Sequence, residues 1–197
     1  MDTATIAQLL EPFAKPDEQQ LRLTSIYIDL LLKWNARINL TAVRDPEEIV
    51  TRHFGESFFA AENLRSCGKI SRTIDLGSGA GFPGIPMAIL MPETEFTLIE
   101  ANHKKTTFLR EVIFTLGLKN AVVFNGRAED FKNQANLVTM RAVERFESVL
   151  PTAINLVEPQ GWIALMIGTA QAVQARALAP QVEWNRDRKS TRLNSSH

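Results

Sequence analysis

The sequence predicts an α/β protein with a Rossmann-like fold: a parallel-type sheet flanked by helices and preceded by a helical N-terminal extension. Two observations favour this class. From Lys69 onward, strand-like apolar runs alternate with helix-like runs, which is typical of a parallel sheet covered on both faces. The glycine-dense segment Asp75–Pro86 directly follows the first strand-like run, as in folds that bind a nucleotide-like cofactor. We therefore interpret residues 1–66 as a helical cap of the same domain and residues 67–186 as its Rossmann-like core.

The length and composition are those of one globular domain. The chain has 197 residues, of which 45% are hydrophobic and 22% are charged. No apolar run approaches the roughly 20 residues that cross a bilayer, and the N-terminus lacks the pattern of a secretory signal. The single cysteine, Cys67, excludes an internal disulfide. We expect a cytoplasmic protein, and its formal net charge of +0 gives no argument for a nucleic-acid partner.

Helical periodicity dominates the N-terminal cap. Apolar residues recur at helical spacing within Asp17–Ile38, which predicts a helix that packs one face against the rest of the domain. Asp45-Pro46-Glu47-Glu48 is a helix-start signal, with an acidic N-cap, a proline in the first turn and a glutamate three residues after the cap. Phe58, Phe59 and Leu64 indicate one more short helix.

The core region alternates strands and helices. The predicted strands are Ile70–Leu76, Phe96–Glu100, Ala121–Phe124, Leu137–Met140 and Trp162–Ile167. The predicted helices between them are Met87–Leu90, Lys104–Leu116 closed by Gly117, and Ser148–Val157 closed by Pro159-Gln160-Gly161. Gln181–Trp184 is a candidate for the start of a sixth strand, and we expect the closing C-terminal strands to be missing.

The last eleven residues, Asp187–His197, change composition abruptly and back-translate to a sequence that resembles a widely used DNA-sequencing adapter. We expect them to be a non-native tail joined to a native frame that was cut near Arg186, and a natural basic tail is the alternative. The tail carries three of the 22 basic residues and one of the 22 acidic residues. It therefore gives no support for nucleic-acid binding.

The glycine-dense segment carries the strongest functional signal. Counted from the strand, it reads Asp75-x-Gly77-x-Gly79-x-Gly81, which is denser than the dinucleotide-binding pattern. Glycine permits positive φ and lets a ligand approach the backbone without a Cβ clash. The segment predicts a strand-to-helix cradle for a cofactor, and a turn with a structural role only is the alternative.

Three positions downstream extend this cradle. Glu100 ends the second strand about 20 residues later, where its carboxylate is placed to accept hydrogen bonds from both ribose hydroxyls. Gly126–Asp130 follows the third strand, where a backbone amide and a carboxylate can read an adenine edge. Arg141 ends the fourth strand, and its structural alternative is an ion pair with Glu129 or Glu144.

Several cationic side chains are candidates for local positive charge. They are His103, Lys104, Lys105 and Arg110, and the group Arg44, Arg52 and His53. A solvated helix face is the alternative for each of them. The three histidines show no metal-ligand spacing, so we expect no metal site.

Together these segments resemble the bacterial 16S ribosomal RNA guanine-N7 methyltransferase G family, also called glucose-inhibited division protein B. The resemblance extends over nearly all of residues 20–168. Its elements are Lys33-Trp34-Asn35 with Asn39-Leu40-Thr41, Arg52-His53, Asp75–Pro86, Lys104-Lys105 with Phe108-Leu109-Arg110, Arg127-Ala128-Glu129, and Arg141-Ala142.

The resemblance implies an S-adenosylmethionine cofactor and, as substrate, a guanine in 16S rRNA or the small ribosomal subunit. It implies that the cofactor contacts are Gly77, Gly79, Phe82, Ala128, Glu129 and Arg141, with Glu100 on the ribose. Phe82 and Arg141 are candidates beside the reacting centre, and the candidates for RNA contact are Arg52, His53, Lys104 and Lys105. We expect a monomer with no membrane partner.

The chain departs from the family pattern in three places. Glu56-Ser57 stands where the family usually has Asp-Ser, and Ile167-Gly168 stands where it has Lys-Gly. The third departure is the expected absence of the strands that close the sheet. Ile167 and the missing strands keep open a non-catalytic rRNA-binding module that retains the fold. A separate alternative is an NAD-dependent oxidoreductase, which would require a catalytic histidine or tyrosine near the fourth strand, and Tyr27 and the three histidines lie elsewhere in the sequence.

Overall fold

The structure is a computed structural model that describes residues 1–143 and 145–184. Its helices are α1 (Thr3–Leu10), α2 (Glu18–Asn35), α3 (Pro46–Glu48), a π-helix (Ile49–Gly55), α4 (Glu56–Arg65), α5 (Gly84–Leu90), α6 (His103–Leu116), a 3-10 helix (Ala128–Asp130), α7 (Phe146–Asn155) and α8 (Thr169–Leu178). Its strands are β1 (Arg72–Leu76), β2 (Glu95–Glu100), β3 (Ala121–Asn125), β4 (Ala135–Arg141) and β5 (Val157–Met166). The adapter-like tail Asp187–His197 lies outside the described residues.

The long helix predicted in the N-terminal cap is α2. Asp17 and Gln20 form a capping box, in which the Gln20 N–H donates to Asp17 Oδ1 at 2.8 Å and the Asp17 N–H donates to Gln20 Oε1 at 2.8 Å. The helix ends at Asn35, because that side chain turns back on the following loop. Asn35 Oδ1 accepts the Thr41 N–H at 3.1 Å, and Asn35 Nδ2 donates to the Thr41 carbonyl at 2.9 Å.

The second helix start of the cap is confirmed, but the turn that follows it is unusual. Asp45 Oδ1 accepts the Glu48 N–H at 2.9 Å and so caps α3. The chain then passes directly into the π-helix and on into α4. A π-helical insertion widens one turn and re-aims the side chains on it, and such insertions are frequent at functional sites. Arg52 and His53 lie on this turn.

The five strands form one parallel sheet in the order β3-β2-β1-β4-β5, which confirms the predicted Rossmann-like class. The chain builds outward from β1 through β2 to β3, then returns to the other side of β1 to build β4 and β5. In open α/β sheets, ligands bind in the crevice at the carboxyl ends of the strands where the strand order reverses, and here that reversal lies between β1 and β4.

Two predictions near the C-terminal part of the sheet are wrong. The predicted turn Pro159-Gln160-Gly161 does not precede the fifth strand, because β5 already begins at Val157 and continues through it. Gln160 has a φ of +66°, and the pairing of β4 with β5 is irregular between Ala135 and Leu137, so these residues form a bulge instead. Gln181–Trp184 is a turn and loop, not a strand.

The core occupies both faces of the sheet. On one face, α1, α2 and the π-helix share a hydrophobic cluster with α5 and α6, and its largest fully buried members include Tyr27, Phe54 and Phe108. On the other face, α7 and α8 pack against β1 and β4. The cap therefore shares its core with the sheet. Of the described helices, none has the length and apolar character that crossing a membrane requires.

Candidate functional site

The residues predicted to hold a cofactor converge at the carboxyl ends of three adjacent strands. Gly77 and Gly79 follow β1, Glu100 ends β2 and Arg141 ends β4. This is the edge of the sheet where the strand order reverses, so the sequence prediction of their common location agrees with the topology.

Asp75 fixes the base of the site. Its side chain is fully buried at the end of β1, where Oδ1 accepts the Thr139 hydroxyl at 2.7 Å and Oδ2 accepts the Gly84 N–H at 3.2 Å. Burial raises the pKa of the Asp75 carboxyl to about 6, and these hydrogen bonds oppose that rise. A Cβ on Gly84 would lie 2.4 Å from Leu98 Cδ2, so only glycine allows α5 to start this close to the strands. Asp75 thereby joins β1, β4 and α5.

The loop after β1 requires glycine at several positions. The φ values of Gly77, Gly79 and Gly81 are +70°, +56° and +88°, a region that residues with a side chain rarely adopt. A Cβ on Gly81 would lie 2.4 Å from the Tyr27 hydroxyl, so the loop packs tightly on its inner side. Among the described residues, a Cβ on Gly79 would have only the Gly77 carbonyl within 4 Å, at 3.8 Å. The Gly79 side of the loop is therefore open to a ligand.

Tyr27 holds this loop from the N-terminal cap. Its hydroxyl donates to the Ala80 carbonyl, and its ring stacks on Phe82 with centroids 5.4 Å apart and planes 12° apart. In the sequence, Tyr27 is one of the apolar residues that recur at helical spacing within Asp17–Ile38, and that pattern predicts only a packed helix face. The hydroxyl group is the chemical signal of a further contact, because a buried tyrosine needs a hydrogen-bond partner.

Glu100 bonds to the glycine loop and retains acceptor capacity. Its Oε2 accepts the Gly79 N–H at 2.9 Å, and its Oε1 accepts the Asn102 N–H at 2.7 Å. A carboxylate offers about four lone-pair sites, so two remain for hydroxyl donors of a ligand. The structure thus assigns Glu100 a structural role, and ribose binding stays a prediction that this geometry permits.

Ala128 and Glu129 lie on the 3-10 helix after β3. The Ala128 side chain is buried in the cluster that includes Ile99 of β2, whereas Glu129 is exposed and its carbonyl accepts from Lys132 Nζ at 2.9 Å. The alternative ion pair between Glu129 and Arg141 is wrong, because the carboxylate that pairs with Arg141 in the described part of the chain is Glu56. Glu144 lies outside the described residues.

Arg141 is held by the helical cap. Its Nη2 lies 3.1 Å from Glu56 Oε2, 3.0 Å from the Arg52 carbonyl and 3.0 Å from His53 Nδ1. The side chain is 13% exposed, and Nη1 is buried without a hydrogen-bond partner among the described residues. Glu56 has no sequence signal as a partner of Arg141, since 85 positions separate the two residues and only the fold brings them together.

His53 is neutral, and the expectation that it supplies positive charge is wrong. Arginine only donates hydrogen bonds, so His53 Nδ1 must accept from Arg141 and its proton must lie on Nε2. Nε2 lies 2.8 Å from the Thr41 hydroxyl oxygen, which accepts the hydrogen bond from the Nε2 proton. Burial, with the charges of Arg141 and Arg52, lowers the pKa of His53 to about 3. Arg52 keeps an exposed side chain, paired with Glu48 at 2.6 Å.

Phe82 is a core residue in this arrangement. It is 7% exposed and stacks on both Tyr27 and His53, with the His53 centroid 4.7 Å away and the ring planes 28° apart. Because so little of the side chain is exposed, any part that Phe82 takes at a reacting centre is indirect.

The two remaining candidates for RNA contact begin α6. Asn102 caps this helix by accepting the N–H groups of Lys104 and Lys105 at 3.0 and 3.2 Å, and the Lys104 side chain is exposed. They follow Glu100 by four and five residues, in the first turn of α6, so they lie near the same edge of the sheet as the crevice. Within residues 1–143 and 145–184, no group of three or more His, Cys, Asp or Glu side chains could hold a metal ion.

A family model and the curated relatives of this chain indicate the same protein family. The family model described as GidB, rRNA small subunit methyltransferase G, matches residues 20–194. Two curated proteins named ribosomal RNA small subunit methyltransferase G are similar. The protein from Stutzerimonas stutzeri is 37% identical over 188 residues, covering 92% of this chain and 80% of its own length. The protein from Chromobacterium violaceum is 36% identical over 184 residues, covering 92% and 86%.

Solved structures share the fold at lower identity. A proposed O-methyltransferase from Klebsiella pneumoniae has a TM-score of 0.58 and 16% identity, covering 90% of this chain and 83% of that one. TYW2 from P. horikoshii, solved in complex with MeSAdo, has a TM-score of 0.50 and 17% identity, covering 61% and 50%. At these identities the likeness concerns the fold.

Proposed function

The chain belongs to the rRNA small subunit methyltransferase G family, and on that premise we propose that it transfers the methyl group of S-adenosylmethionine to N7 of a guanine in 16S rRNA. The observation that carries the proposal is the set of groups that meet at the carboxyl ends of β1, β2 and β4. There, Glu100 has spare acceptor capacity and Arg141 has a donor without a partner among the described residues. The two side chains flank the open glycine loop at Gly79.

The residues at this crevice fit the cofactor. The Gly79 side of the loop has room for a ligand against the backbone, and Glu100 has lone pairs to accept the ribose hydroxyls. Arg141 Nη1 is a buried donor that an acceptor group of the cofactor would satisfy. When bound, S-adenosylmethionine supplies an electrophilic sulfonium methyl group. Gly77, Ala128 and Glu129 complete the proposed contacts, with Phe82 supporting the loop from the core.

The proposed reaction makes few chemical demands on the protein. Guanine N7 carries a free lone pair at neutral pH, so attack on the methyl group requires no general base. The chain's residues would therefore act by orientation and by the electrostatics of a fixed site. The crevice agrees with this requirement, because hydrogen bonds to the backbone hold the side chains of Glu100 and Arg141 in fixed positions.

The RNA would reach the crevice past exposed cations. Lys104 and Arg52 have exposed side chains on the two elements that border it, α6 and the π-helix. Phosphate contacts of this kind position the nucleic acid, and they make the affinity depend on salt. We further propose 16S rRNA or the small ribosomal subunit as substrate, a cytoplasmic location, and a monomeric enzyme.

Cofactor binding is tested by calorimetry with S-adenosylmethionine and with NAD. We expect binding of the first and not of the second, and the reverse result would support the oxidoreductase alternative. Glu100→Gln places an amide N–H₂ against a backbone N–H, so it should weaken S-adenosylmethionine binding by about tenfold. Glu95→Gln is the matched control, because Glu95 is an exposed glutamate at the other end of the same strand.

Binding of S-adenosylmethionine without methylation of rRNA would support the non-catalytic alternative. That alternative draws on Ile167, which stands where the family has lysine and follows the end of β5. Ile167→Lys would restore the family residue, and recovery of activity in this variant would identify the substitution as the cause.

A further inference from the structure

The geometry points to His53 and Glu56 as positioning residues that aim Arg141 at the cofactor, so that the helical cap completes a site otherwise built by the sheet. This inference rests on the proposed function, because it assigns Arg141 a ligand in the crevice. It goes beyond that function by naming two residues that act through Arg141 without touching the cofactor.

Of the two terminal nitrogens of Arg141, Nη2 is surrounded by acceptors, whereas Nη1 has no hydrogen-bond partner among the described residues. Glu56 Oε2, the Arg52 carbonyl and His53 Nδ1 surround Nη2 at 3.0–3.1 Å. These three acceptors come from the π-helix and the first residue of α4. Because the guanidinium is planar and rigid, fixing Nη2 also fixes the direction in which the Nη1 donors point.

Nη1 has the properties of a ligand-binding donor. It is buried and lacks a partner among the described residues. A buried unpaired donor is costly, and a charged one more so, so its persistence calls for an acceptor that arrives with a ligand. Arg141 lies at the end of β4 beside the glycine loop, which is where the cofactor would bind.

The acceptor state of His53 is itself fixed by a chain of contacts that begins on α2. Asn35 holds Thr41 through two hydrogen bonds with the Thr41 backbone, at 2.9 and 3.1 Å. The Thr41 hydroxyl accepts the Val43 N–H at 3.1 Å and faces His53 Nε2 at 2.8 Å. With the proton held on Nε2, Nδ1 presents a lone pair to Arg141. A protonated ring would present a donor there and repel the guanidinium.

The competing interpretation is that these contacts only attach the cap to the sheet. In that case their loss would lower the melting temperature without changing cofactor affinity. Two substitutions of His53 separate the interpretations. His53→Asn keeps an acceptor close to the position of Nδ1, whereas His53→Gln keeps a group close to Nε2 and loses the acceptor for Arg141.

The first experiment measures the Kd of S-adenosylmethionine by calorimetry, with melting temperatures in parallel. We expect about tenfold weaker binding for Glu56→Gln and His53→Gln, and a smaller loss for His53→Asn. Glu62→Gln is the matched control, because Glu62 also lies on α4 and pairs with Arg65 at 2.8 Å, away from Arg141. Wild-type affinity in both Glu56→Gln and His53→Gln would overturn the inference.

The second experiment tests whether Glu56 acts through Arg141. In an Arg141→Ala background, Glu56→Gln should have no further effect on the Kd, because the group that it positions is gone. An undiminished loss in that background would overturn the inference. Failure of the wild-type protein to bind S-adenosylmethionine would instead refute the proposed function, so the two failures are distinguishable.

Discussion

The protonation state of His53 makes the stability of this protein depend on pH in a way that one substitution should remove. The folded-state pKa of His53 is about 3, well below its ordinary value of 6.5. The folded state therefore favours the neutral imidazole. The resulting stability is fully present above pH 6.5 and is lost as the pH falls from 6.5 towards 3, because the unfolded chain takes up the proton that the folded ring refuses.

The magnitude follows from the distance between the working pH and the unfolded pKa. Each pH unit below 6.5 costs about 1.4 kcal/mol as long as the folded ring stays neutral. Between pH 7.5 and pH 5, His53 should therefore reduce the free energy of unfolding by about 2 kcal/mol. His53→Gln has no titrating group at this position, so it lacks this part of the pH dependence.

The assay is urea unfolding of both proteins at pH 7.5 and at pH 5, followed by tryptophan fluorescence. The buried carboxyl of Asp75 titrates in the same range, but it is present in both proteins and its effect cancels in the comparison. The wild-type protein should lose about 2 kcal/mol more than His53→Gln between the two pH values. Equal losses would mean that His53 protonates normally in the folded state, and the tautomer assigned to it would be wrong.

Three further outcomes are expected. Gly81→Ala should lower the free energy of unfolding by about 3 kcal/mol or more in urea titrations, because its Cβ would lie 2.4 Å from the Tyr27 hydroxyl at a φ of +88°. Gly117→Ala should cost only about 1 kcal/mol, because Gly117 has a φ of +65° and no atom of the described residues would lie within 4 Å of the new Cβ. Asn35→Ala should cost about 2 kcal/mol by the same measurement, because it leaves two loop N–H groups without their acceptor. The raised pKa of Asp75, about 6, should offset about 1.4 kcal/mol of the loss that His53 causes as the pH falls from 7 to 5, so Asp75→Asn should lose about 1.4 kcal/mol more stability than the wild-type protein over that interval.

Features that depend on local sequence were predictable. The glycine loop, the strand that ends at Glu100 and the helix cap at Asp45 each have a signal within a few residues, and the structure places each element where that signal indicated. The convergence of Glu100 and Arg141 on one edge followed from strand alternation alone, because a parallel sheet brings its carboxyl ends together.

Features that depend on distant contacts were not predictable. Arg141 has acidic neighbours in sequence, but its partner is Glu56, which the π-helix and α4 bring to it across the sheet edge. Phe82 follows the glycine loop as an apparent ligand contact, yet Tyr27 and His53 cover it. The π-helix has no sequence signature, because it depends on packing along a continuous helix and not on a cap or a breaker.

The measurement that tests the central claim most directly is nucleoside mass spectrometry of 16S rRNA after reaction with this protein. Small ribosomal subunits that lack the modification would be incubated with the protein and S-adenosylmethionine carrying an isotopically labelled methyl group. We predict labelled 7-methylguanosine, and its formation should fall in Arg141→Ala. Absence of label in the rRNA, or label in a different nucleoside, would contradict the account.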